Sequence, residues 1–448
     1  MHLKNKNIAI VGGGLVGSLL STYLSRQGAI VSVFDKRSDI RLDGNSSGRS
    51  INLALSNRGI NALSTIGVSQ SILKIAMPMY KRVMHSLDGG LTEQQYGKKS
   101  EAIYSISRHL LNAKLMNIAE KKLVKYFFNK ECVSIDIASN TLIFSDETKN
   151  TYDYIFGADG AGSIIRKKMS QSSKKMNSTV KFINSSYKEL TIPANSDGTH
   201  KIDNTALHIW PRKSFMVIAL PNLDGTFTCT LFAPNKGLNS FASLVNSLDV
   251  DSFFCKYFKD LKQIIPNLSE QYFLNPTSPL GFVRCSSWKD HNTILIGDAC
   301  HATVPFYGQG MNSGFEDCFL LNQWLDIKQD LGHPDIDVFL QNRIIDTTAM
   351  QDLSMHNFIE MRDKTANTNF LLQKKIEEWF SNKHPQKWEP LYSMVTFSDM
   401  RYSEALKRGK IQNKIMSDIM KVNNLNNVFS LAELEQKNIE KQILDYLI

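Results

Sequence analysis

The 448-residue sequence predicts an α/β fold with three parts: a Rossmann-like domain, an inserted antiparallel β domain and a C-terminal helical region. Three observations lead to this prediction. A βαβ pattern opens the chain, segments rich in strand-forming residues fill its middle, and helical periodicity dominates from about residue 310. The boundaries that we predict are 1–174 together with 286–330 for the first part, 175–285 for the second, and 331–448 for the third.

The βαβ unit at the start of the chain consists of two β-branched segments around a glycine-rich turn. The predicted strands are 8–11 (IAIV) and 30–34 (IVSVF), and the helix between them begins within 12–17 (GGGLVG). Leucine and tyrosine side chains then recur at helical spacing, which indicates that the helix packs one apolar face against the sheet. This order is typical of nucleotide-binding domains.

Gly12, Gly14 and Gly17 match the pattern GxGxxG in the context that it requires, after a strand and at the start of a helix. Such glycines allow a tight turn, close approach of a pyrophosphate and close helix packing, while the helix N-terminus stabilises phosphate charge. Asp35 lies 18 positions after Gly17, where a carboxylate accepts hydrogen bonds from an adenosine ribose. The unit predicts a bound dinucleotide and leaves its identity open.

Two later junctions repeat the change from strand to glycine-rich loop. The segment 157–163 (GADGAGS) follows a predicted strand at 152–156, and 297–301 (GDACH) follows another at 293–296. A further glycine-rich segment is 308–314 (GQGMNSG). A nicotinamide dehydrogenase usually needs one such fingerprint, whereas a long bound cofactor contacted at several points needs more. The junctions therefore favour a cofactor held by loops that are distant in sequence.

A predicted hairpin marks the inserted β domain. The segments 214–220 (SFMVIAL) and 226–232 (TFTCTLF) are rich in strand-forming residues, and 221–225 (PNLDG) supplies the turn between them.

Composition and charge exclude several classes of protein. The formal net charge is +9, but residues 1–200 carry 27 basic and 15 acidic side chains, so the surplus is regional and predicts an anionic partner for that half. The six cysteines form no CxxC pair, which predicts a reduced, cytoplasmic chain without a metal site. We expect no transmembrane segment, secretory signal or nucleic-acid partner.

The three fingerprints are shared with the group A flavin-dependent aromatic hydroxylases, which the sequence resembles. The sequence resembles the kynurenine 3-monooxygenase family more closely, and this resemblance extends from about residue 7 to about 410. The blocks that carry this resemblance are 48–55 (GRSINLAL), 80–87 (YKRVMHSL), 95–97 (QYG), 103–108 (IYSISR), 208–211 (HIWP), 219–224 (ALPNLD), 304–312 (VPFYGQGMN) and 392–398 (YSMVTFS). Membrane-attached members carry a hydrophobic C-terminal segment that this sequence lacks, so no membrane anchor is implied.

The resemblance implies a bound FAD in the first domain and NADPH as co-substrate. Asp159 is placed near the pyrophosphate and the nicotinamide region, Asp298 at the ribityl chain, and the helix start at Gly310 and Asn312 beside the N1–C2=O edge of the flavin. Backbone N–H groups there would stabilise the charge of the reduced flavin. The cofactor-binding residues that we predict are Gly12, Gly14, Leu15, Val16, Gly17, Asp35, Lys36, Arg37, Arg49, Leu53, Ala54, Arg108, Asp159, Asp298, Gly310, Met311 and Asn312.

L-kynurenine and O₂ are the implied substrates. Arg82 is expected to form a bidentate contact with the α-carboxylate, and Tyr96 to add a hydroxyl donor. Phe306 and Tyr307 are expected to line the ring slot. The substrate-binding residues that we predict are Arg82, Tyr96, Phe306, Tyr307, Gln309, Asn357, Glu360, Met361 and Tyr392.

The family's reaction passes through a C4a-hydroperoxyflavin that hydroxylates the ring carbon ortho to the aniline nitrogen. Because the aniline already donates electrons, we predict no catalytic side chain beyond the flavin. Two alternatives stay open: a group A hydroxylase of another aromatic acid, and a non-hydroxylating flavoprotein that acts on a protein partner. The oligomeric state is also left open.

The basic surplus of residues 1–200 then has a narrower interpretation. We expect Arg37, Arg49, Arg82, Arg108 and Arg166 to face FAD, the substrate carboxylate or NADPH, which are all anionic.

Overall fold

The computed structural model describes residues 2–42, 52–96, 101–172, 176–361, 368–422 and 433–447. Within these ranges the strands are β1 (Asn7–Val11), β2 (Ile30–Phe34), β3 (Asn52–Leu55), β4 (Met77–Met79), β5 (Lys81–His85), β6 (Leu91–Gln95), β7 (Ile103–Ser107), β8 (Lys125–Phe127), β9 (Cys132–Asp136), β10 (Thr141–Phe144), β11 (Lys149–Thr151), β12 (Tyr154–Gly157), β13 (Ser178–Ile192), β14 (Ala206–Arg212), β15 (Phe215–Pro221), β16 (Phe227–Pro234), β17 (Ser278–Cys285), β18 (Lys289–Asp290) and β19 (Thr293–Leu295).

The α-helices of the same ranges are α1 (Leu15–Arg26), α2 (Asn57–Thr65), α3 (Ser69–Leu73), α4 (Arg108–Glu120), α5 (Ile164–Ser172), α6 (Ser247–Tyr257), α7 (Lys259–Ile264), α8 (Leu268–Leu274), α9 (Asp298–His301), α10 (Gly310–Lys328), α11 (Ile336–Ile359), α12 (Thr368–Lys383), α13 (Leu391–Thr396), α14 (Tyr402–Val422) and α15 (Glu433–Tyr446). Short 3₁₀ helices cover Phe241–Ser243 and Pro305–Tyr307.

A six-stranded sheet in the order β18-β19-β12-β1-β2-β8 forms the centre of the first part. All its neighbouring strands are parallel except β18, which is antiparallel to β19. Val11 pairs with both Phe34 and Gly157, so the ends of β1, β2 and β12 lie side by side. The predicted βαβ unit is therefore confirmed, and because Gly157 also pairs with Leu295, the strand ends before the three glycine-rich loops are neighbours in the sheet.

A second, seven-stranded sheet has the order β17-β13-β16-β15-β14-β5-β6. The predicted hairpin is confirmed, because β15 and β16 pair antiparallel over six residues. Along β15, Phe215 and Val217 pack into a core with the helices α6 to α8, while Met216 packs on the opposite face beside Phe306. This period-two alternation gives the sheet one face covered by helices and one face directed at the candidate site.

Two strands of this sheet come from a distant part of the chain. β5 pairs in parallel with β14, and β6 extends the sheet beyond it. Both strands lie within 1–174, the range predicted for the Rossmann-like domain. They bring residues 81–95 to the second sheet, which places Arg82 next to the β domain.

The predicted helical region after residue 310 is confirmed in the described ranges. The long helix α11 packs against α14, and α12, α14 and α15 share a separate apolar core that includes Phe380, Trp388 and Met416. Among the helices that the structure describes, none combines the length and apolarity needed to cross a bilayer.

A buried histidine in the seven-stranded sheet makes the stability of the fold sensitive to acid. His208 Nε2 lies 2.7 Å from the carbonyl oxygen of Asp203, which can only accept, so this nitrogen carries the proton. Its Nδ1 lies 2.8 Å from Nε2 of His85 and is free to accept a hydrogen bond. Burial lowers the pKa of His208 to about 4, so the folded protein keeps this imidazole neutral.

We expect the free energy of unfolding to fall by about 3 kcal/mol as the pH drops from 6.5 to about 4. The free energy of unfolding falls because the unfolded chain binds a proton at His208 in this pH range and the folded chain does not. Thermal unfolding as a function of pH measures the effect, and His208→Gln should flatten this dependence. An unchanged slope in the variant would show that other groups cause the acid sensitivity.

Candidate active site

The first glycine-rich turn combines two crowded glycines with one open glycine. A Cβ on Gly12, which has φ +108°, would lie 2.3 Å from the carbonyl oxygen of Ala158, and a Cβ on Gly17 would lie 2.0 Å from that of Gly12. These two glycines let β1, β12 and α1 pack closely. Gly14 is different, because a Cβ there would meet nothing within 4 Å. Its open side is the space that a pyrophosphate needs.

The N-terminus of α1 offers hydrogen-bond donors to this space. Gly14 is the N-cap, it provides no side-chain hydrogen bond, and the first turn contains no acidic residue. Leu15 and Val16 form the first turn, so their backbone N–H groups have no i−4 partner within the helix. Uncapped N–H groups together with the helix dipole favour a bound phosphate.

Asp35 follows β2 and is buried beside the turn. Its Oδ2 accepts from the Gly13 N–H at 2.9 Å and from Arg37 Nη2 at 2.8 Å. Burial alone would raise the pKa of Asp35, but the bonds from Arg37 and Gly13 outweigh it and lower the pKa. The carboxylate is therefore charged and oriented at the turn, while Lys36 and Arg37 extend to the surface.

Asp159 lies at the second junction, in contact with the first. A Cβ on Gly12 would lie 2.9 Å from Cα of Asp159. Oδ2 of Asp159 accepts from the N–H of Ile164 at 2.7 Å, and Oδ1 is buried without a hydrogen bond of normal geometry in the described part of the chain. Burial raises the pKa of this carboxyl group. Oδ1 thus remains available to a donor from outside the protein.

Arg166 connects the second junction to the third instead of facing a cofactor. Its guanidinium donates to the carbonyl oxygens of Ala299 and Ala161, each at 2.7 Å. Asp298 is exposed at the start of α9, whereas Cys300 on the same helix is fully buried and donates to the carbonyl oxygen of Gly297. Burial raises the pKa of the Cys300 thiol well above its usual value, as for a small buried apolar residue.

Val16 joins the first junction to the third. A Cβ on Gly297 would lie 3.0 Å from Val16, and one on Gly314 would lie 2.6 Å from it. The turn, the loop before α9 and helix α10 are therefore in direct contact. Three regions that are distant in sequence form one continuous surface, as expected for a long cofactor.

The start of α10 is held in place by Asn312. Its amide donates to the carbonyl oxygens of Ala54 at 2.8 Å and Gly308 at 2.7 Å, and its Oδ1 accepts from the N–H of Ser56 at 2.9 Å. This clamp positions β3, which contains Leu53 and Ala54, against the helix. The helix itself has no side-chain cap and no acid in its first turn, so the N–H groups of Gly310 and Met311 can face an anionic edge.

The remaining predicted cofactor residues are Arg108 and Arg49. Arg108 is exposed at the first position of α4, and Arg49 lies outside the described residues. The structure adds Asn112, which donates to the carbonyl oxygen of Gly13 at 3.1 Å and has a buried Oδ1 without a partner among the described residues. Nothing in the helix pattern of 108–120 distinguishes this asparagine from its neighbours, so its role could not be predicted from the sequence.

These observations fit a dinucleotide cofactor. The open Gly14, the uncapped starts of α1 and α10, and the unpartnered oxygens of Asp159 and Asn112 surround the three converging strand ends. Open space, donors and acceptors thus lie where an extended phosphate-containing ligand needs them.

Three tyrosines and Arg82 form an aromatic cage beside α10, which we call the Arg82 cage. The rings of Tyr96 and Tyr392 stack at 5.2 Å between centroids, and those of Tyr392 and Tyr307 at 5.6 Å. The Arg82 guanidinium carbon lies 4.3 Å from the Tyr392 centroid and 5.0 Å from that of Tyr96. Such contacts hold the planar cation at a defined angle.

The electrostatics of the Arg82 cage favour an anionic ligand. Burial disfavours the charge of Arg82, but the neighbouring tyrosine oxygens outweigh it and raise its pKa, so the guanidinium is charged. Burial raises the pKa of Tyr96 well above its usual value, and its buried hydroxyl makes no hydrogen bond of normal geometry among the described residues. A cation and a buried hydroxyl donor therefore face the same space.

An apolar wall adjoins the cage. The ring of Phe306 stacks on Phe358 at 4.2 Å and contacts Phe232 at 4.9 Å. Asn357 donates to the carbonyl oxygen of Phe306 at 2.6 Å, which ties α11 to the segment before α10, and Met361 packs with this cluster. The wall is suited to a flat aromatic ring.

Glu360 is the C-cap of α11, and its ion-pair partner could not be predicted from the sequence. Lys374 on α12 has its Nζ 3.9 Å from Oε1 of Glu360 and 3.0 Å from Oε2 of Glu377. Burial lowers the pKa of Lys374, and its two carboxylate neighbours overcome this and raise it. Arg82 and Glu360 shift the pKa of Tyr307 in opposite directions, so a cation and an anion both lie near this ring of the cage. A lysine in a helix of mixed polarity carries no signal of this role.

Gln309 is the predicted substrate residue that points elsewhere. It is fully buried, and its Oε1 accepts from the hydroxyl of Tyr402 at 3.0 Å. Its backbone is the N-cap of α10. Gln309 is thus positioned to hold the helix start against the C-terminal helices.

Comparisons with known proteins identify the kind of protein to which this site belongs. A family model described as "FAD binding domain" matches residues 5–237 and 277–327. A kynurenine 3-monooxygenase of Flavobacterium johnsoniae is 48% identical over 439 residues, which cover 97% of this chain and 98% of the relative. One from Stenotrophomonas maltophilia is 39% identical and covers 92% of each chain.

Solved structures agree on the fold. The tetrameric form of 2-methyl-3-hydroxypyridine-5-carboxylic acid oxygenase has a TM-score of 0.66 at 20% identity, over 83% of this chain and 96% of that one. PqsL of Pseudomonas aeruginosa, in complex with 2-aminobenzoylacetate, also has a TM-score of 0.66, at 16% identity, and covers 80% of this chain and 97% of its own. At these identities the similarity concerns the fold alone.

Proposed function

The chain belongs to the kynurenine 3-monooxygenase family, and from this premise we propose that it uses FAD, NADPH and O₂ to convert L-kynurenine to 3-hydroxy-L-kynurenine. The observation that carries the proposal is the Arg82 cage, which places a charged guanidinium next to an apolar wall. A substrate with a carboxylate at one end and an aromatic ring at the other matches this arrangement.

The substrate carboxylate is assigned to Arg82 and Tyr96. The guanidinium offers two parallel N–H donors, and the unpartnered Tyr96 hydroxyl adds a third. Tyr392 and Tyr96 orient the guanidinium through their rings, and Tyr307 stacks on Tyr392. We assign the aniline ring to the wall formed by Phe306, where Asn357 holds the backbone in position.

When bound, FAD would supply the oxygen activation of this reaction, with NADPH as the source of electrons. The residues of this chain bind and orient the cofactor and the substrate, and they exclude water from the site. The starts of α1 and α10 would offer N–H groups to the pyrophosphate and to the flavin edge, and Asp35, which is held beside the turn, would accept from the ribose. Because the aniline nitrogen activates the ring, positioning and a dry aromatic pocket suffice, and no side chain is needed as a strong base.

Glu360 is assigned to the substrate α-ammonium, and it supports a testable prediction. Glu360→Gln should weaken L-kynurenine binding about tenfold, because a charge-assisted contact becomes a neutral one. Binding of the deaminated analogue should not change. The shift of the flavin absorbance on titration measures both affinities.

Glu377→Gln is the matched control for this test, because Glu377 pairs with the same Lys374. It should leave the ratio of the two affinities unchanged. Equal losses for L-kynurenine and its deaminated analogue in Glu360→Gln would contradict the assignment.

We also propose the three-part division at 1–174 with 286–330, 175–285 and 331–448, with β5 and β6 added to the second sheet. The six free cysteines, five of them buried, support a cytoplasmic location.

The experiment that tests the proposed function uses the purified full-length protein with FAD and NADPH. Addition of L-kynurenine should accelerate NADPH oxidation and yield 3-hydroxykynurenine, detected by chromatography and mass spectrometry. A flavin-loaded protein that oxidises NADPH no faster with L-kynurenine and forms no hydroxylated product would overturn the proposal. A screen of other aromatic acids would then identify a different substrate.

A further inference from the structure

Arg58 is a buried arginine outside every assigned site. It belongs to α2, directly after the strand that carries Leu53 and Ala54, and its side chain is 1% exposed. Its guanidinium carbon lies 4.0 Å from the centroid of the Tyr402 ring. Burying a guanidinium is unfavourable unless the surrounding groups compensate its charge and satisfy its donors.

The donors of Arg58 are directed at one end of α13. Nε donates to the carbonyl oxygen of Val395 at 2.9 Å, and Nη2 donates to those of Met394 at 3.5 Å and Met400. The last carbonyls of a helix have no partner within the helix, and a cation stabilises them. Arg58 thus fixes the C-terminal end of the short helix that carries Tyr392.

The same guanidinium also contacts α10, the helix whose start is assigned to the flavin edge. Nη1 forms an ion pair with Glu316 on this helix. Glu316 is in turn 3.0 Å from Arg343 on α11. Tyr402, which lies under the guanidinium, donates to Gln309 at the N-cap of α10. One side chain therefore joins α13 to α10.

We infer that Arg58 is a positioning residue, which sets the distance between Tyr392 in the Arg82 cage and the flavin-binding start of α10. This inference rests on the proposed function and deepens it. Apolar residues could fill the same volume with comparable stability, whereas a guanidinium with four directed partners allows only one placement of α13. A small displacement of Tyr392 would misplace the substrate carboxylate and hence the ring carbon that reacts.

The test compares Arg58→Lys with the wild type in three measurements: bound FAD, KM for L-kynurenine, and hydrogen peroxide released per NADPH oxidised. Lysine keeps the charge for Glu316 but cannot reach several carbonyls. We expect unchanged FAD content, a KM raised about tenfold or more, and a several-fold larger share of peroxide. A flavin-loaded Arg58→Lys protein with wild-type KM and peroxide release would overturn the inference.

Arg212→Lys is the matched control. Arg212 is also buried and also donates to backbone carbonyls, those of Tyr257, His85 and Pro211, but it lies in the β domain away from α13. It should lose thermal stability with KM and peroxide release unchanged. If the same changes in KM and peroxide release arise in Arg212→Lys, they reflect general destabilisation, and the inference fails.

A second variant covers the case in which Arg58→Lys does not fold. Asn57→Ala removes one bond from the same link, the 3.0 Å contact from its amide to the carbonyl oxygen of Phe397. It should raise the share of peroxide in the same direction by a smaller factor, and no change would count against the inference. If the wild type forms no 3-hydroxykynurenine, the proposed function fails separately, before any variant is compared.

Discussion

Arg82→Ala is expected to raise KM for L-kynurenine about a hundredfold while the protein keeps its bound FAD. Losing one partner of a buried charge pair costs about 3 kcal/mol, which corresponds to a factor of about a hundred. The guanidinium carbon lies within 5.0 Å of the ring centroids of both Tyr392 and Tyr96, so its loss removes the cation from the centre of the cage. Steady-state kinetics and the flavin absorbance spectrum measure the two quantities.

Two variants of the same strand sharpen this result. Arg82→Lys keeps the charge but loses the planar pair of donors, so its KM should lie between those of the wild type and Arg82→Ala. Lys81 on the same strand pairs with Glu93 and Asp203, outside the cage, and Lys81→Ala should leave KM unchanged. Loss of flavin from Arg82→Ala would instead mean that this arginine supports the cofactor domain.

Gly14→Val is expected to produce a folded protein that binds FAD at least about a hundredfold more weakly. The backbone of Gly14 is extended, with φ −77° and ψ −172°, a conformation that any residue adopts, and a Cβ there meets nothing within 4 Å. The valine side chain would occupy the space in front of the α1 N-terminus, where the phosphate charge is stabilised. Flavin content per protein and circular dichroism are the measurements.

Gly17→Ala gives the contrasting result in the same turn. Its new Cβ would lie 2.0 Å from the carbonyl oxygen of Gly12, so the turn itself must move. We expect a lower unfolding temperature whether or not FAD is added. If Gly14→Val kept a normal flavin content, the open side of Gly14 would not be the pyrophosphate site.

Local sequence patterns predicted the cofactor half of the molecule well. The strand ends at Val11 and Gly157 pair as neighbours, and the crowded and open glycines occupy the positions that the fingerprint requires. These features depend on residues that are close in sequence, where β-branched runs, glycines and helical periodicity are informative.

The links between distant segments could not be predicted in the same way. Arg58 bonds to Val395, 337 positions away, and nothing near Arg58 in the sequence indicates that it is buried. Lys374 is one of three lysines in α12, a helix of mixed polarity, and nothing in its sequence sets it apart. Such roles depend on which helices pack together, and that information lies in the tertiary structure. The assigned site residues remain predictions until the variants above are measured.

The parallel pairing of β5 with β14 has a consequence for how the protein is made. During synthesis, Lys81–His85 leaves the ribosome long before its partner Ala206–Arg212 is made. Until then, β5 cannot pair with β14, and β5 and β6 are not part of the seven-stranded sheet. A fragment limited to 178–285 would conversely expose the edge of β14, which favours aggregation. Fragments made for expression or complementation, and circular permutants, should therefore keep residues 81–95 together with the β domain.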